Sequence, residues 1–303
     1  MSIPTVPAEA EAHLDWLALT DALAEGHDAP RAELGDTFLT RGGDTLLSRA
    51  AWIDGMGALV KTATVFPGNA GTGLPTINGG VALYADADGR LEAMLDFHLV
   101  TKWKTAADSL LAARRLAPPR VRGILIVGAG TVAGAMVDAY RAAFPDARIA
   151  LYNRTQARAE RLAHTKDAIV APDLEQAARA ADIICCATMA REPVLEGEWL
   201  RPGQHIDLIG AFRADMREAD DVALTRARLF VDSRDTVLDH IGEFKDPLAR
   251  GVITRDDVVA DYYELGRFTR EADDITLCKN GGGAHLDLMT ARYILAAWQA
   301  ADA

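Results

Sequence analysis

Gly123-Ile124-Leu125-Ile126-Val127-Gly128-Ala129-Gly130-Thr131-Val132-Ala133 decides how this chain is built. The first five residues read as a short buried strand, and the Gly-x-Gly-x-x-Ala run that follows it opens a helix. Glycine at 128 and 130 lets the turn tighten and lets a pyrophosphate approach the backbone N–H groups at the helix N-terminus. Outward from this stretch the pattern alternates. Strands are expected at residues 148–152, 168–170, 182–187, 205–209 and 229–231, with helices at 132–143, 156–163 and 174–180 between them. Short apolar strands alternating with helices predict a parallel sheet covered on both faces, a Rossmann-type doubly wound α/β fold.

Upstream of Pro118-Pro119 the composition changes. Runs at 36–40, 45–53 and 58–66 have strand character and are separated by turns such as Arg41-Gly42-Gly43-Asp44, so an antiparallel meander is expected, with another strand pair at 80–84 and 91–96. Helical spacing flanks it at 8–24 and 101–116, and a Gly- and Pro-rich loop fills 67–75. A last helix, 285–298, is expected to return to this first domain. The reading is a smaller α+β domain over 1–116 plus 285–303, and a dinucleotide-binding domain over 117–284.

The chain has 303 residues, 50% of them hydrophobic, enough for a core without a metal or disulfide staple. Lys plus Arg number 32 against 44 Asp plus Glu, a net charge of -12 that repels phosphate backbones and anionic lipid. Neither nucleic acid nor membrane is an expected partner. The first thirty residues carry acidic side chains where a secretory leader needs basic ones, and three cysteines without a CxxC pair suit a reducing compartment, so the cytoplasm is expected. Seven histidines without paired-ligand spacing give no expectation of a metal.

Cofactor choice is read at the end of the second strand, Tyr152-Asn153-Arg154-Thr155. A dehydrogenase selective for NAD carries a carboxylate there; neutral Asn153 removes the charge that repels a 2′-phosphate, and Arg154 offers it a planar guanidinium. NADP(H) is favoured, with NAD(H) as the alternative. Thr188 follows Cys185-Cys186-Ala187 at a strand's carboxyl end, where open α/β sheets bind ligands. Late in the chain, Lys279-Asn280-Gly281-Gly282-Gly283-Ala284-His285 lets a ligand approach backbone closely, with Asn280 or His285 as a polar contact.

Asp96-Phe97-His98-Leu99-Val100-Thr101-Lys102-Trp103-Lys104-Thr105-Ala106-Ala107 and Pro193-Val194-Leu195-Glu196-Gly197-Glu198-Trp199-Leu200-Arg201-Pro202-Gly203-Gln204-His205-Ile206 resemble signatures of the ornithine cyclodeaminase/mu-crystallin family. Lys61, Phe66-Pro67-Gly68-Asn69 and Val231-Asp232-Ser233 fall in the same order, so the resemblance covers roughly residues 10–300. It implies a homodimer paired through the first, substrate-binding domain, and hydride exchange at C2 of an α-amino or α-imino acid. By family position Lys61 meets the substrate carboxylate and Thr76 donates a hydroxyl to it. Lys104 stands where most relatives have Arg, exchanging a fork for a point charge. A further family arginine has no counterpart on the first meander strand, and Arg49 on the next is the candidate substitute. Catalysis is thus expected from Lys61, Lys104 and Thr76, with Arg49 and Asn280 joining them in substrate binding.

One departure bears on the reaction. Cyclodeaminases of the family carry an Asp two residues past the glycine after the fifth strand; here Gly210-Ala211-Phe212-Arg213 places Phe212 there, and a phenyl ring exchanges no protons. Phe212 therefore joins Gly128, Gly130, Thr131, Val132, Asn153, Arg154, Thr155 and Thr188 as an expected cofactor contact. The implied activity is NADPH-dependent reduction of a cyclic ketimine carboxylate, of the 1-pyrroline-2-carboxylate or 1-piperideine-2-carboxylate type, to the L-imino acid. The alternatives are an ornithine cyclodeaminase recycling NAD, an alanine dehydrogenase-like oxidoreductase, and a non-enzymatic NADPH-binding protein.

Overall fold

The structure, a computed structural model, describes residues 3–301. The chain forms two compact units, one reaching to Lys104 and resuming at Gly283, the other Thr105–Gly282.

In the first unit, β1 (Thr5–Val6), β2 (Glu33–Arg41), β3 (Asp44–Ile53), β4 (Gly57–Val65), β5 (Ile77–Tyr84) and β6 (Leu91–Asp96) form one sheet in the order β1-β6-β5-β4-β3-β2. Strands β2 to β4 are the expected meander, the expected pair β5 and β6 continues it antiparallel, and β1 adds a parallel edge beside β6. The helix expected over 8–24 is instead a 3-10 turn, Ala8–His13, followed by α1 (Trp16–Gly26). The break falls at Asp15, whose carboxylate accepts the Ala18 N–H at 2.8 Å and starts a new helix. In the 67–75 loop Pro67–Asn69 make a 3-10 turn, and Asn69 Nδ2 donates to Pro75 O at 2.8 Å. The last helix, Ala284–Ala301, packs on α1, β3, β4 and β6. Along β4 the residues Leu59, Lys61 and Ala63 face inward by strand alternation, so a lysine occupies a core position.

Helix α2 (Phe97–Leu116) begins four residues earlier than its spacing predicts, because the Asp96 carboxylate accepts the Leu99 N–H at 2.7 Å. The units divide inside it, at Lys104/Thr105, and again at Gly282/Gly283, rather than at 116/117 and 284/285. The second half of α2 is tied to the second unit: Tyr262 Oη donates to Asp108 O at 2.5 Å, and Thr276 Oγ1 and Arg270 Nη1 donate to Leu116 O at 3.1 and 2.9 Å.

The second unit is an eight-stranded parallel sheet. Its strands are β7 (Gly123–Val127), β8 (Arg148–Tyr152), β9 (Ile169–Val170), β10 (Ile183–Cys186), β11 (His205–Leu208), β12 (Arg228–Val231), β13 (Val258–Ala260) and β14 (Thr276–Lys279), in the order β13-β12-β14-β11-β10-β7-β8-β9. Sequence reasoning found all but β13 and β14. Helix α3 (Thr131–Ala143) follows β7, and strand order reverses between β7 and β10, which makes the carboxyl ends of those strands the ligand-binding edge. Leu125, Val127, Ile184, Ile206, Leu208, Phe244 and Leu277 fill the core beneath that edge.

Candidate functional site

At the turn between β7 and α3, Gly128 has φ +127°, and a Cβ there would sit 2.5 Å from Ala187 O, so only glycine lets the turn lie against the end of β10. Gly130 caps α3 with nothing within 4 Å of the position a Cβ would take, leaving the first N–H groups of the helix open to a ligand. These glycines border a cavity of roughly 700 Å³. Asn153, Arg154, Thr155 and Thr188 line it as expected. Thr131 and Val132 stand on the first turn of α3 beyond its lining, and Phe212 is also outside it, 53% exposed beneath the Arg213 guanidinium. Arg158 and Arg191 line the cavity too. With Arg154 they make a basic rim on a chain of net charge -12. Arg158 was legible as a basic residue four positions after Arg154.

Behind Thr188 lies a carboxylate the sequence reading did not single out. Glu218 is fully buried, and Oε1 accepts Thr188 N and Thr188 Oγ1 at 2.7 and 2.8 Å while Oε2 accepts Gly210 N and Ala211 N at 2.6 and 3.1 Å. It staples the segments following β10 and β11. Gly210 must be glycine, since a Cβ would fall 2.2 Å from Thr188 O. Glu243 repeats the device one layer down by accepting the N–H groups of Glu218 and Ala219 at 2.7 and 3.0 Å. Burial, with the Glu218 charge beside it, pushes Glu243 up to about 7. Lys279, also fully buried, donates to Leu208 O and Asn280 O at 2.8 and 2.7 Å. Asn280 itself is buried, and neither its Oδ1 nor its Nδ2 has a hydrogen-bond partner among the described residues.

The first unit gathers the expected carboxylate binders. Lys61 Nζ donates to Asp287 Oδ1 of the last helix at 2.7 Å, with the lysine 6% and the aspartate 0% exposed. Lys104 on α2 is buried beside them and acts on both through its charge. Arg49, directly across the ladder from Lys61 on β3, is held by Asp36 on β2 at 2.7 and 3.3 Å. Burial takes Lys61 below the usual lysine range, with Asp287 opposing the fall and Lys104 adding to it. Burial opposes ionisation of Asp287 as well, but Lys61 and Lys104 outweigh it and hold the carboxyl below the usual carboxylate range. His285 falls to about 3 through burial and then the neighbouring His27. Thr76 is not part of this group; it is exposed beside β5, its carbonyl taking the Phe66 N–H at 2.8 Å. Asp287 lies in an Ala- and Leu-rich helix 226 residues from Lys61, and only a lysine at an inward strand position signals the need for such a partner.

A Rossmann-type unit with an open helix N-terminus at its switch point, in one chain with a mixed-sheet unit that buries a surplus of cations, defines a two-unit oxidoreductase of the α/β class. The chain belongs to the ornithine cyclodeaminase/mu-crystallin family, whose profile matches residues 52–302, the family its two long motifs resemble. The Δ1-pyrroline-2-carboxylate reductase of Paracoccus denitrificans is 50% identical over 296 residues, 94% of this chain and 94% of that one. A solved structure of Thermococcus litoralis Δ1-pyrroline-2-carboxylate reductase in complex with NADH and L-proline shares the fold, with a TM-score of 0.89 at 22% identity over 99% of this chain and 98% of that one. An archaeal alanine dehydrogenase dimer with bound NAD does so too, with a TM-score of 0.90 at 24% identity over 100% and 98%. No helix among the described residues is long and apolar enough to cross a membrane.

Proposed function

We propose that this chain reduces the C=N bond of a cyclic ketimine carboxylate, of the 1-pyrroline-2-carboxylate or 1-piperideine-2-carboxylate type, to the L-imino acid, with NADPH preferred over NADH. The observation that carries this reading is the cation surplus of one cluster in the first unit: Lys61, Lys104 and Arg49 against Asp287 and Asp36. A buried excess of positive charge is costly until an anion joins it, and a substrate carboxylate is that anion. The identity shared with the Paracoccus reductase supports the same substrate class.

The dinucleotide fits the second unit, because Gly128 and Gly130 leave room for a pyrophosphate and three arginines stand at the rim. When bound, it supplies the hydride. Gly128, Gly130 and the α3 N-terminus would hold the pyrophosphate, Thr188 the nicotinamide end, and Asn153, Arg154, Thr155 and Arg158 the 2′-phosphate. Lys61 and Lys104 fix the substrate carboxylate. Phe212 offers no proton acceptor, which favours reducing a preformed imine over oxidising an amine. A homodimer is part of the reading, since Leu34, Phe38 and Leu39 on β2 and Trp52 on β3 stand exposed for a second copy to cover. Cys185, Cys186 and Cys278 are buried and unbridged, which suits the cytoplasm.

The test is steady-state oxidation of NADPH on adding 1-pyrroline-2-carboxylate, followed at the dihydronicotinamide absorbance, with L-proline formed in equal amount. Ornithine with NAD should release no ammonia above background. Ammonia release without net cofactor consumption would make the chain a cyclodeaminase, and binding of NADPH without turnover would make it a binding protein.

A further inference from the structure

Unit one holds a buried ion pair whose acidic partner has no assigned role. Lys61 Nζ and Asp287 Oδ1 are 2.7 Å apart, both side chains are buried, and the second oxygen, Asp287 Oδ2, has no hydrogen-bond partner among the described residues. This differs from the usual treatment of a buried carboxylate, which spends its charge on backbone N–H groups. Asp287 keeps its charge for Lys61. The other charged groups facing the lysine do not help it stay an ammonium, and the face of Phe97 attracts the cation only weakly beside an ion pair. Arg49 lies opposite it on β3 with its own charge met by Asp36 on β2, Lys104 and the Phe97 ring at 5.0 Å approach from α2, and Val81 opposes it on β5. From the last helix His285 also faces the group, its ring edge-on to His27 at 5.5 Å. Among these, Asp287 is the anion in contact with Nζ.

We infer that Asp287 is a positioning residue that keeps Lys61 protonated, so that Lys61 Nζ delivers the proton that imine reduction requires. This rests on the reaction proposed above. The Nζ–H bond breaks and an N–H bond forms on the substrate nitrogen, which takes up the C=N π pair as its carbon accepts hydride from the reduced nicotinamide. Lys61 is left as a neutral amine and recovers its proton from water. Without Asp287 the lysine is a buried cation between Lys104 and Arg49, and such a group sheds its proton. With it, the same lysine can both meet a substrate carboxylate and act as the acid. Asp287 acts on the opposite side of the chemistry from the missing acidic residue at 212, holding a proton on the enzyme rather than accepting one from the substrate.

The experiment follows the Lys61 Nζ signal by ¹⁵N NMR against pH, assigned with Lys61→Met, in the wild-type chain and in Asp287→Asn, alongside pH profiles of kcat/KM for 1-pyrroline-2-carboxylate. Asp287→Asn should lower the midpoint of the Lys61 titration by at least about one pH unit. The basic limb of the activity profile should move with it, giving at least a roughly tenfold loss near pH 9 and much less near pH 6, with the KM for NADPH changed by less than about twofold. A Lys61 midpoint or a basic limb that stays in place in Asp287→Asn would overturn the inference. So would a wild-type Lys61 that is already neutral at the pH of maximal kcat/KM, a measurement that stands even if Asp287→Asn does not fold. If the Lys61 signal moves as expected in a chain that reduces no cyclic imine, the Asp287–Lys61 coupling stands and the proposed reaction falls.

Discussion

The two units bury charge in opposite ways. In the second, one lysine, Lys279, sits among four fully buried carboxyl groups, Asp207, Glu218, Asp232 and Glu243. In the first, one fully buried carboxylate, Asp287, sits among Lys61, Lys104 and Arg49. The carboxylates of the second unit are largely consumed internally: Glu218 accepts N–H groups that follow β10 and β11, Glu243 accepts those of Glu218 and Ala219, and Asp232 accepts those of Ser233, Gly281 and Gly282 at 2.7, 3.0 and 2.6 Å. Lys279 spends its protons on carbonyls. In the first unit the cluster around Lys61 holds three cations, Lys61, Lys104 and Arg49, against two carboxylates, Asp287 and Asp36. A charge already satisfied by backbone builds a wall, whereas a charge left over waits for a ligand.

The contrast is easiest to break at Glu218. Replacing it with Ala leaves the N–H groups of Thr188 and Ala211 without their acceptor and Gly210 N–H with only its longer bond to Cys186 O at 3.2 Å, and unfolding in urea should show a loss of about 4 kcal/mol together with a raised KM for the cofactor. A stability within about 1 kcal/mol of wild type would mean that water replaces the carboxylate and that the wall is not built on it. Lys61→Met should lower kcat/KM at least about a hundredfold, on the order of 3 kcal/mol, with dinucleotide affinity unchanged by titration, and should also lower stability because Asp287 loses the cation in contact with it. Near-normal turnover would move the carboxylate site to Lys104. The smallest effect belongs to the exposed rim: Arg154→Ala should raise the KM for NADPH about tenfold and that for NADH hardly at all. Equal changes for the two cofactors would detach Arg154 from the 2′-phosphate.

How much of this was legible follows the range of the signal. The glycine turn after β7 and the meander are local patterns, and both were read to within a few residues. Strand β14 was missed because it is four residues long and ends in Lys279, a side chain that argues against the centre of a sheet until its two carbonyl partners are seen. The early start of α2 follows from Asp96, a single capping side chain at the end of a strand. Asp287 and Glu218 lay beyond reach for another reason. Each earns its place from partners that strand register and helix packing bring to it, and neither stands in a spacing that announces chemistry. Asn153, Arg154 and Thr188 were legible because the fold fixes where a strand's carboxyl end must be.

The position of β14 also governs how the chain can be made. It is the last strand in sequence, yet it inserts between β11 and β12 and pairs with both. During synthesis the emerging chain must hold those two strands apart, with unpaired edges, until residue 279 has left the ribosome, and the first unit in turn awaits its closing helix, Ala284–Ala301. Neither unit is completed by an N-terminal fragment, so folding waits on long-range pairing and is slow. A chain cut short before Thr276 would present two bare parallel edges, a template for aggregation rather than a smaller working enzyme.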